Sequence, residues 1–440
     1  MPRELRGKTV AVAGMGRSGF AAVELLLERG AKPRAVDLNP TEQMRARLAS
    51  LGVELFQQSA DAFAGADLIV QSPGVPLETL PADFPVIGEL ELAGYFLNGP
   101  VIGITGSNGK TTTTALAGHI LRESGIACQV GGNIGTPPAA MVRTSRPDQW
   151  NVLELSSFQL ETIQEFKADV AVCLNVTQNH LDRHGTFERY ADAKARLFET
   201  QREDGFAVLN LDDPVCASFA RRTRAAVQWF SSKQAVPTGF ALCGDKIVSG
   251  GEALMRRQEI PLRGLHNVEN VMAAACAARI AGATLDQIAA AVKTFPGVEH
   301  RIEFVCSIDG VDYYNDSKAT SVDATLKAID SFAGGLWIIL GGKDKGSDYS
   351  PLRSALRRKG RAALLIGSAA EKIADHLNGA LPLIRCGDME TAVRTAHRQA
   401  RPGDTVLLAP ACASFDQFRS FEHRGEVFKE LVRKLNSEER

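Results

Sequence analysis

The sequence predicts an α/β protein of three domains, each built on a largely parallel sheet. Three observations predict it. Short apolar runs alternate with helical patterns, which is the signature of βαβ units. That alternation restarts at PVIGITG (100–106), after Asn98-Gly99, and again near 299–306, after Pro296-Gly297. The length of 440 residues corresponds to about three domains at roughly 150 residues each. The expected domains span 1–97, 98–297 and 298–440.

The elements follow in order. KTVAVAG (8–14), PRAVD (33–37) and DLIVQ (67–71) read as strands of the first domain. A helix is expected from near Asn39, with Pro40 at its first position and Glu42 three residues after the cap. In the second domain VIGI (101–104), NVLE (151–154) and ADVAVCL (168–174) read as strands. No solenoid repeat, low-complexity tract or long charge run interrupts the pattern.

Composition excludes several classes of function. Hydrophobic residues make up 45% and charged residues 23%, too apolar for a disordered chain. Lys+Arg number 50 and Asp+Glu 51, so no bulk attraction to nucleic acid or to an anionic membrane is expected. Anionic small molecules stay open, because a pocket needs only a few charges. The eight cysteines form no C-x-x-C pair and read as free thiols of a reducing compartment. The N-terminus shows no basic region followed by a signal core, and no apolar run approaches the roughly 20 residues of a membrane span. The expected location is cytoplasmic.

Gly14-Met15-Gly16-Arg17-Ser18-Gly19 is a full G-x-G-x-x-G between a strand and a helix, and Asp37 ends the next strand 18 residues after Gly19. Glycines permit a tight turn and a close backbone approach, and the helix N-terminus attracts a diphosphate. Taken alone, this predicts a Rossmann-like domain holding a dinucleotide, and an NAD-dependent oxidoreductase is the activity that would follow. A tight turn without a ligand has the same pattern. Ser72-Pro73-Gly74 follows another strand of that sheet and either walls the site or is a plain turn.

Thr105-Gly106-Ser107-Asn108-Gly109-Lys110-Thr111 sits between strand and helix and is close to a Walker A loop, although Ile104 stands where the strict pattern has glycine. Loop N–H groups can hold phosphates, Lys110 can reach the β and γ oxygens, and Thr111 can ligate Mg²⁺. Glu154 ends an apolar strand, as a second Mg²⁺ anchor would. The central domain therefore reads as a P-loop-like ATPase. Residues 175–184, NVTQNHLDRH, place polar side chains after another strand, where α/β sheets bind ligands. His180 is there either a metal ligand, a proton carrier or a structural residue. From periodicity alone, Lys194 in DAKARLFE reads as a solvated helix lysine.

Together these segments resemble the Mur ligase family, the ATP-dependent amide-bond-forming enzymes of peptidoglycan synthesis. The resemblance rests on the G-x-G-x-x-G run, TGSNGKTT (105–112), LELSSFQL (153–160) and NVTQNHLDRH. It extends to NDSKAT (315–320), GGKDKG (341–346) and APACASFDQF (409–418), the last similar to the D-glutamate-adding branch. It covers essentially the whole chain and implies a third, Rossmann-like domain at the C-terminus. The implied activity is ligation of D-glutamate to UDP-N-acetylmuramoyl-L-alanine through an acyl phosphate, in cell-wall growth and therefore in cell shape and division. Another Mur-type or folylpolyglutamate-type ligase is the alternative within the family.

The resemblance also assigns roles. Gly106, Ser107, Asn108, Gly109, Lys110, Thr111 and Thr112 would hold ATP with Asn267, Arg301 and Asp316. Thr111, Glu154, His180 and a CO₂-carbamylated Lys194 would hold two Mg²⁺. Lys110, His180, Lys194 and Lys318 would be the catalytic set. Gly14, Met15, Gly16, Arg17, Ser18, Asp37, Ser72, Gly74, Asn133 and Ser156 would bind the UDP-substrate, so the first domain would carry UDP instead of NAD. Thr320, Lys345, Ser414 and Phe421 would form the D-glutamate pocket. All implied partners are small molecules, and the implied state is a monomer.

Overall fold

The computed structural model describes residues 4–438. The chain divides into two compact units, one of 1–261 with 266–295 and the other of 262–265 with 296–440. The first unit contains two sheets and the second contains one.

The first sheet comprises β1 (Thr9–Ala13), β2 (Lys32–Asp37), β3 (Leu55–Gln57), β4 (Leu68–Gln71) and β5 (Val86–Gly88). Its order is β3-β2-β1-β4-β5, all parallel. Val10 to Ala13 and the whole of β4 are buried, as expected of strands covered on both faces. Strand order reverses between β1 and β4, a topological switch point at the sheet's C-terminal edge. The 14–19 and 72–74 loops lie there. The second helix differs from the sequence expectation. It runs Glu42–Ala49 and is capped by Thr41, whose hydroxyl accepts from the Met44 N–H at 3.2 Å. Pro40 lies outside it, because a threonine oxygen satisfies an orphan N–H that Asn39 would have had to reach.

The second sheet comprises β6 (Val101–Thr105), β7 (Cys128–Gly132), β8 (Trp150–Glu154), β9 (Val170–Cys173), β10 (Phe206–Asn210), β11 (Ala226–Ser231), β12 (Gly239–Cys243), β13 (Lys246–Ser249) and β14 (Glu252–Arg256). Its order is β14-β13-β12-β11-β10-β9-β6-β8-β7, parallel except for the antiparallel pairings of β13 with β12 and β14. Register aligns Ile104 with Glu154 and Thr105 with Cys173. The loops after β6, β8 and β9 therefore start side by side.

Two buried carboxyl groups join these sheets. Glu91, on the helix Glu89–Gly94 that follows β5, accepts from the N–H groups of Gln164, Glu165 and Phe166 at 2.8–3.0 Å. Glu89 accepts from the Ala139 N–H at 2.6 Å, and burial pushes its carboxyl up to about 8, so it is protonated at neutral pH.

The second unit holds β15 (Glu303–Ile308), β16 (Val311–Asn315), β17 (Leu336–Gly341), β18 (Gly360–Ile366), β19 (Leu383–Gly387) and β20 (Thr405–Leu408), ordered β15-β16-β20-β17-β18-β19. All pairs are parallel except the β15–β16 hairpin. The helix Phe421–Glu438 packs Phe428, Val432 and Leu435 into the core beside the sheet. Its Lys429 is buried among Glu299, Glu303 and Glu426 at 2.9–3.2 Å. Among the described residues no helix is long and apolar enough to cross a membrane.

Glu91→Ala leaves three main-chain N–H groups without their acceptor and is expected to lower stability by about 3 kcal/mol. Glu91→Gln, which keeps one oxygen, should lose less. Chemical-denaturation midpoints of the two variants measure this, and an unchanged midpoint for Glu91→Ala would refute the brace.

Candidate active site

The phosphate-type loop joins β6 to the helix Lys110–Glu123, whose N-terminus is capped by Gly109 and by no side chain. Its first N–H groups therefore point into the loop. Gly109 has φ +83°, and a Cβ there would collide with Asn270 Oδ1, so glycine is required on both counts. The Asn175 amide clamps the loop, accepting from the Asn108 N–H at 2.8 Å and donating to its carbonyl at 3.2 Å. Ser107 Oγ donates to the Thr177 carbonyl at 3.0 Å and lies 2.9 Å from Tyr190 Oη. The Lys110 ammonium donates to the carbonyls of Gly106 at 2.8 Å and Ser107 at 3.1 Å. Thr111 is buried behind it, and Thr112 is nearly so. Asn267 is tied to the loop through Asn270, whose amide donates to Asn267 Oδ1 at 2.9 Å.

The reading of Lys194 as a solvated lysine is corrected here: its exposure is 0%. The helix Phe187–Glu199 turns it inward, where Nζ donates to the Gly106 carbonyl at 3.0 Å and lies 3.4 Å from Thr105 Oγ1. Tyr190, one turn earlier on the same face, puts its ring 4.6 Å from Nζ. Burial, with the charge of Lys110 added, pulls the ammonium down to about 7.

His180 enters a short helix with φ 53° and meets the Phe158 ring edge-on at 4.9 Å. Burial and the charges of Lys110 and Lys194 lower its imidazole, which favours the neutral, metal-binding form. His184 is more enclosed. Burial, then Arg183, His180 and Lys194, draw it down to about 4, so its ring is neutral. A neutral ring fits its two contacts: Nδ1–H donates to Glu161 at 3.1 Å and Nε2 accepts from Ser157 Oγ at 3.0 Å.

Glu154 closes the other side. It is 2% exposed, and Oε1 accepts from Asn133 Nδ2 at 2.8 Å, while Oε2 has no hydrogen-bond partner among the described residues. A buried carboxylate oxygen left open beside a phosphate-type loop suits a hard cation such as Mg²⁺. Gly132 has φ +109°, and a Cβ there would lie 2.8 Å from the Glu154 nitrogen, so glycine lets Asn133 approach. Ser156 caps the helix Ser157–Leu160 in a capping box with Gln159.

In the first sheet, Gly16 starts the helix Arg17–Glu28 without a side-chain cap. Asp37 braces the loop, accepting from the N–H groups of Met15 at 2.7 Å and Asn39 at 2.9 Å. The Met15 side chain is buried, so only its backbone belongs to the loop. Ser72 Oγ donates to the Gly14 carbonyl at 2.7 Å, Ser18 is half-buried, and Gly74 is exposed in the adjoining turn. Arg17 reaches the Gly135 carbonyl at 3.2 Å, linking this loop to the one carrying Asn133.

The remaining residues gather at the C-terminal edge of the third sheet. Asp316 is buried, and desolvation raises its carboxyl to about 7 against the charges of Arg301 and Lys318. Lys318 Nζ stands 5.3 Å from the centre of the Phe421 ring. Thr320 is half-buried, with its N–H on the Lys318 carbonyl at 2.8 Å. The Ala411 N–H donates to the Ala319 carbonyl and the Lys343 N–H to the Ala413 carbonyl, both at 2.9 Å. Residues 315–320, 341–346 and 409–418 are thereby stitched together, with Ser414 buried and Lys345 exposed. Arg424 is 0% exposed and donates to Ser317 Oγ and to the carbonyls of Ser317, Cys412 and Ala413 at 2.9–3.3 Å.

Sequence reasoning missed Tyr190, His184, Asn270 and Arg424. Tyr190 left a signal, four residues before Lys194 on one helix face, and His184 ends the polar segment 175–184.

Fold and site define the class: an α/β enzyme scaffold with a phosphate-type loop and a buried carboxylate that has one oxygen open. Family models described as Mur ligase MurD-like N-terminal domain, Mur ligase middle domain and Mur ligase glutamate ligase domain match residues 8–84, 104–278 and 300–412. The chain is 60% identical to a protein of Solibacter usitatus named UDP-N-acetylmuramoylalanine–D-glutamate ligase, covering 98% of this chain and 99% of the relative. An Acidobacterium capsulatum protein of the same name is 49% identical over 98% and 97% of the two chains. The chain belongs to the Mur ligase family. Among solved structures, UDP-N-acetylmuramate-alanine ligase of Thermotoga maritima matches with a TM-score of 0.63 at 18% identity, covering 97% of this chain and 99% of that one. The MurF ligase of the same organism, in complex with ADP, matches at 0.60 and 20% identity over 98% and 96%. Both likenesses speak to the fold.

Lys194 makes stability depend on pH. Its folded value is about 7 and its ordinary value 10.5, so between these the unfolded chain binds more protons. The burial penalty is complete below pH 7 and gone above 10.5. In CO₂-depleted buffer, the stability of Lys194→Met relative to wild type is expected to fall by on the order of 4 kcal/mol from neutral to alkaline pH. Denaturant titrations across that range check it; a difference that does not vary with pH would contradict the assignment.

Proposed function

We propose that the chain is an ATP-dependent ligase that joins D-glutamate to UDP-N-acetylmuramoyl-L-alanine in peptidoglycan precursor synthesis, acting in the cytoplasm as a monomer on small molecules. The observation that carries this reading is the assembly of Lys110, Glu154 and Lys194 around one phosphate-type loop, in a chain matched from end to end by relatives of that activity. Residues 1–97 would hold the UDP-substrate, 98–297 ATP and metal, and 298–440 the amino acid.

A carboxylate is a poor electrophile until one oxygen becomes a good leaving group. An alanyl carboxylate oxygen therefore attacks the γ-phosphorus, and ADP leaves. The D-glutamate amine then attacks the acyl carbon, and the tetrahedral adduct expels phosphate. Lys110 and the helix N-terminus behind Gly109 would stabilise charge on the transferring phosphoryl group. Thr111 and Glu154 would hold one Mg²⁺ and His180 would stand near a second, and the ions when bound would neutralise phosphate charge. Asn267, Arg301 and Asp316 would serve the nucleotide, and Lys318 the reacting groups. Gly14 to Ser18, Asp37, Ser72, Gly74, Asn133 and Ser156 would bind the UDP-sugar. Thr320, Lys345, Ser414 and Phe421 would receive D-glutamate.

Lys194 fits a carbamate for a physical reason. Only the neutral amine attacks CO₂, forming an N–C bond and releasing a proton to solvent. An ordinary lysine is neutral about once in 10³ at pH 7, whereas one drawn down to about 7 is neutral about half the time. The product replaces a buried cation with an anion able to share a second Mg²⁺ and to face Lys110.

Incubation with ATP, UDP-N-acetylmuramoyl-L-alanine and single amino acids tests the substrate assignment. ADP release is expected with D-glutamate, and release with L-alanine or L-glutamate instead would overturn it. For the carbamate, Lys194→Ala is expected to lose at least about 10²-fold in kcat and to recover part of it with added short carboxylic acids. No recovery, together with no added mass on Lys194 in CO₂-equilibrated wild type, would refute that step.

A further inference from the structure

Residues 341–346 leave β17 bonded to the 409–418 segment only as far as Lys343, whose N–H reaches the Ala413 carbonyl. Beyond it the loop is held by one side chain. Asp344 Oδ1 accepts from the Ser347 N–H at 3.1 Å, closing a turn around Lys345, and from Tyr349 Oη at 2.8 Å. Its Oδ2 accepts from Lys372 Nζ at 2.8 Å. Lys372 and the Tyr349 hydroxyl hold this carboxyl well below the usual range, so it is ionised.

Tyr349 is 0% exposed, and its Oη also lies 3.0 Å from Cys412 Sγ. Burial, Cys412 and Asp344 push its ionisation upward, so the hydroxyl keeps its proton. That proton goes to the carboxylate, and the thiol donates to the hydroxyl oxygen. One buried phenol thus joins the loop carrying Lys345 to the segment carrying Ser414, two residues from Cys412.

We propose that Tyr349, acting through Asp344, is a positioning residue for amino-acid recognition: it fixes the place of Lys345 relative to Ser414, so that both meet the carboxylates of D-glutamate. This rests on the ligase reading above. None of these groups is among the residues assigned above to substrate contact. Its loss should therefore loosen the pocket without changing how phosphate is transferred.

Initial rates with D-glutamate varied at saturating ATP and UDP-substrate test it in wild type, Tyr349→Phe and Asp344→Asn. Tyr349→Phe keeps the ring and removes the bridge. KM for D-glutamate is expected to rise about five- to twentyfold, with kcat and both other KM values within about threefold. Asp344→Asn should rise at least as much. Unchanged KM for D-glutamate in both variants, or an equal rise in all three KM values, would overturn the proposal. Should Tyr349→Phe fold poorly, Lys372→Met tests the same carboxylate from the surface, and an unchanged KM there counts equally against it. Wild type incapable of using D-glutamate would sink the ligase reading itself, a result distinct from failure of the loop proposal.

Discussion

The site is organised around an amine buried against the phosphate-type loop. Among the described residues Lys194 has no carboxylate partner in its hydrogen bonds, and Lys110 adds a second positive charge to the same Gly106 carbonyl. A lone ammonium in such a place is expensive, so the surroundings must offset it or the group must shed its proton. Both occur. The Tyr190 ring faces the charge, the Gly106 and Thr105 oxygens accept from it, and its affinity for a proton falls. Burial first, and neighbouring positive charge second, also lowers His180, beside Lys110 and Lys194, and His184, beside Arg183, His180 and Lys194. The neutral histidines and the half-neutral lysine follow from one packing decision.

Charge is handled locally throughout the first unit. The net charge of −1 gives no hint of an affinity for anions. Yet two helices, beginning at Arg17 and Lys110, start behind glycine caps with no side chain on their N-termini. Helix ends supply partial positive charge that composition does not count. Other helix ends are filled by side chains, as by Thr41, Ser59 and Thr186, or left uncapped, as behind Gly88, Pro137 and His180. The ends at Arg17 and Lys110 differ from these in opening helices of 12 and 14 residues directly after glycine-rich loops at the C-terminal edges of parallel sheets, where a phosphate could bind.

Legibility in the sequence tracks the range of the interactions. The parallel strands showed because both faces are buried and the runs are apolar. The two glycine loops showed because turn chemistry is local. Lys194 did not show as buried, because helix periodicity counts lysine as polar and its partner lies 88 residues away. Asp37 was visible as a strand-end carboxylate, but its partner Met15 N–H comes from another strand's loop. One miss was avoidable. Asp309-Gly310 has φ of 49° and 76°, the two-residue hairpin turn its sequence favours, and it makes β15 an antiparallel edge strand. Pro40 suits a first turn, but the helix begins at Glu42 because Thr41 is the better cap.

The second unit solves a different problem with the same means. Its glycine loop and its 315–320 and 409–418 segments lack regular structure, so their carbonyls need donors from elsewhere. From a fully buried guanidinium Arg424 supplies three hydrogen bonds to carbonyls of the 315–320 and 409–418 segments and a fourth to Ser317 Oγ, with no carboxylate among its hydrogen-bond partners in the described residues. Burial lowers it only to about 10, so it stays charged at neutral pH. A charged donor aimed at carbonyls makes stronger bonds than a neutral one and offsets part of its own desolvation. The fork geometry of guanidinium reaches two segments at once, which a lysine could not do. Lys318 and Ser414 are each one residue from a carbonyl that Arg424 holds, so the placing of both depends on a side chain that touches neither.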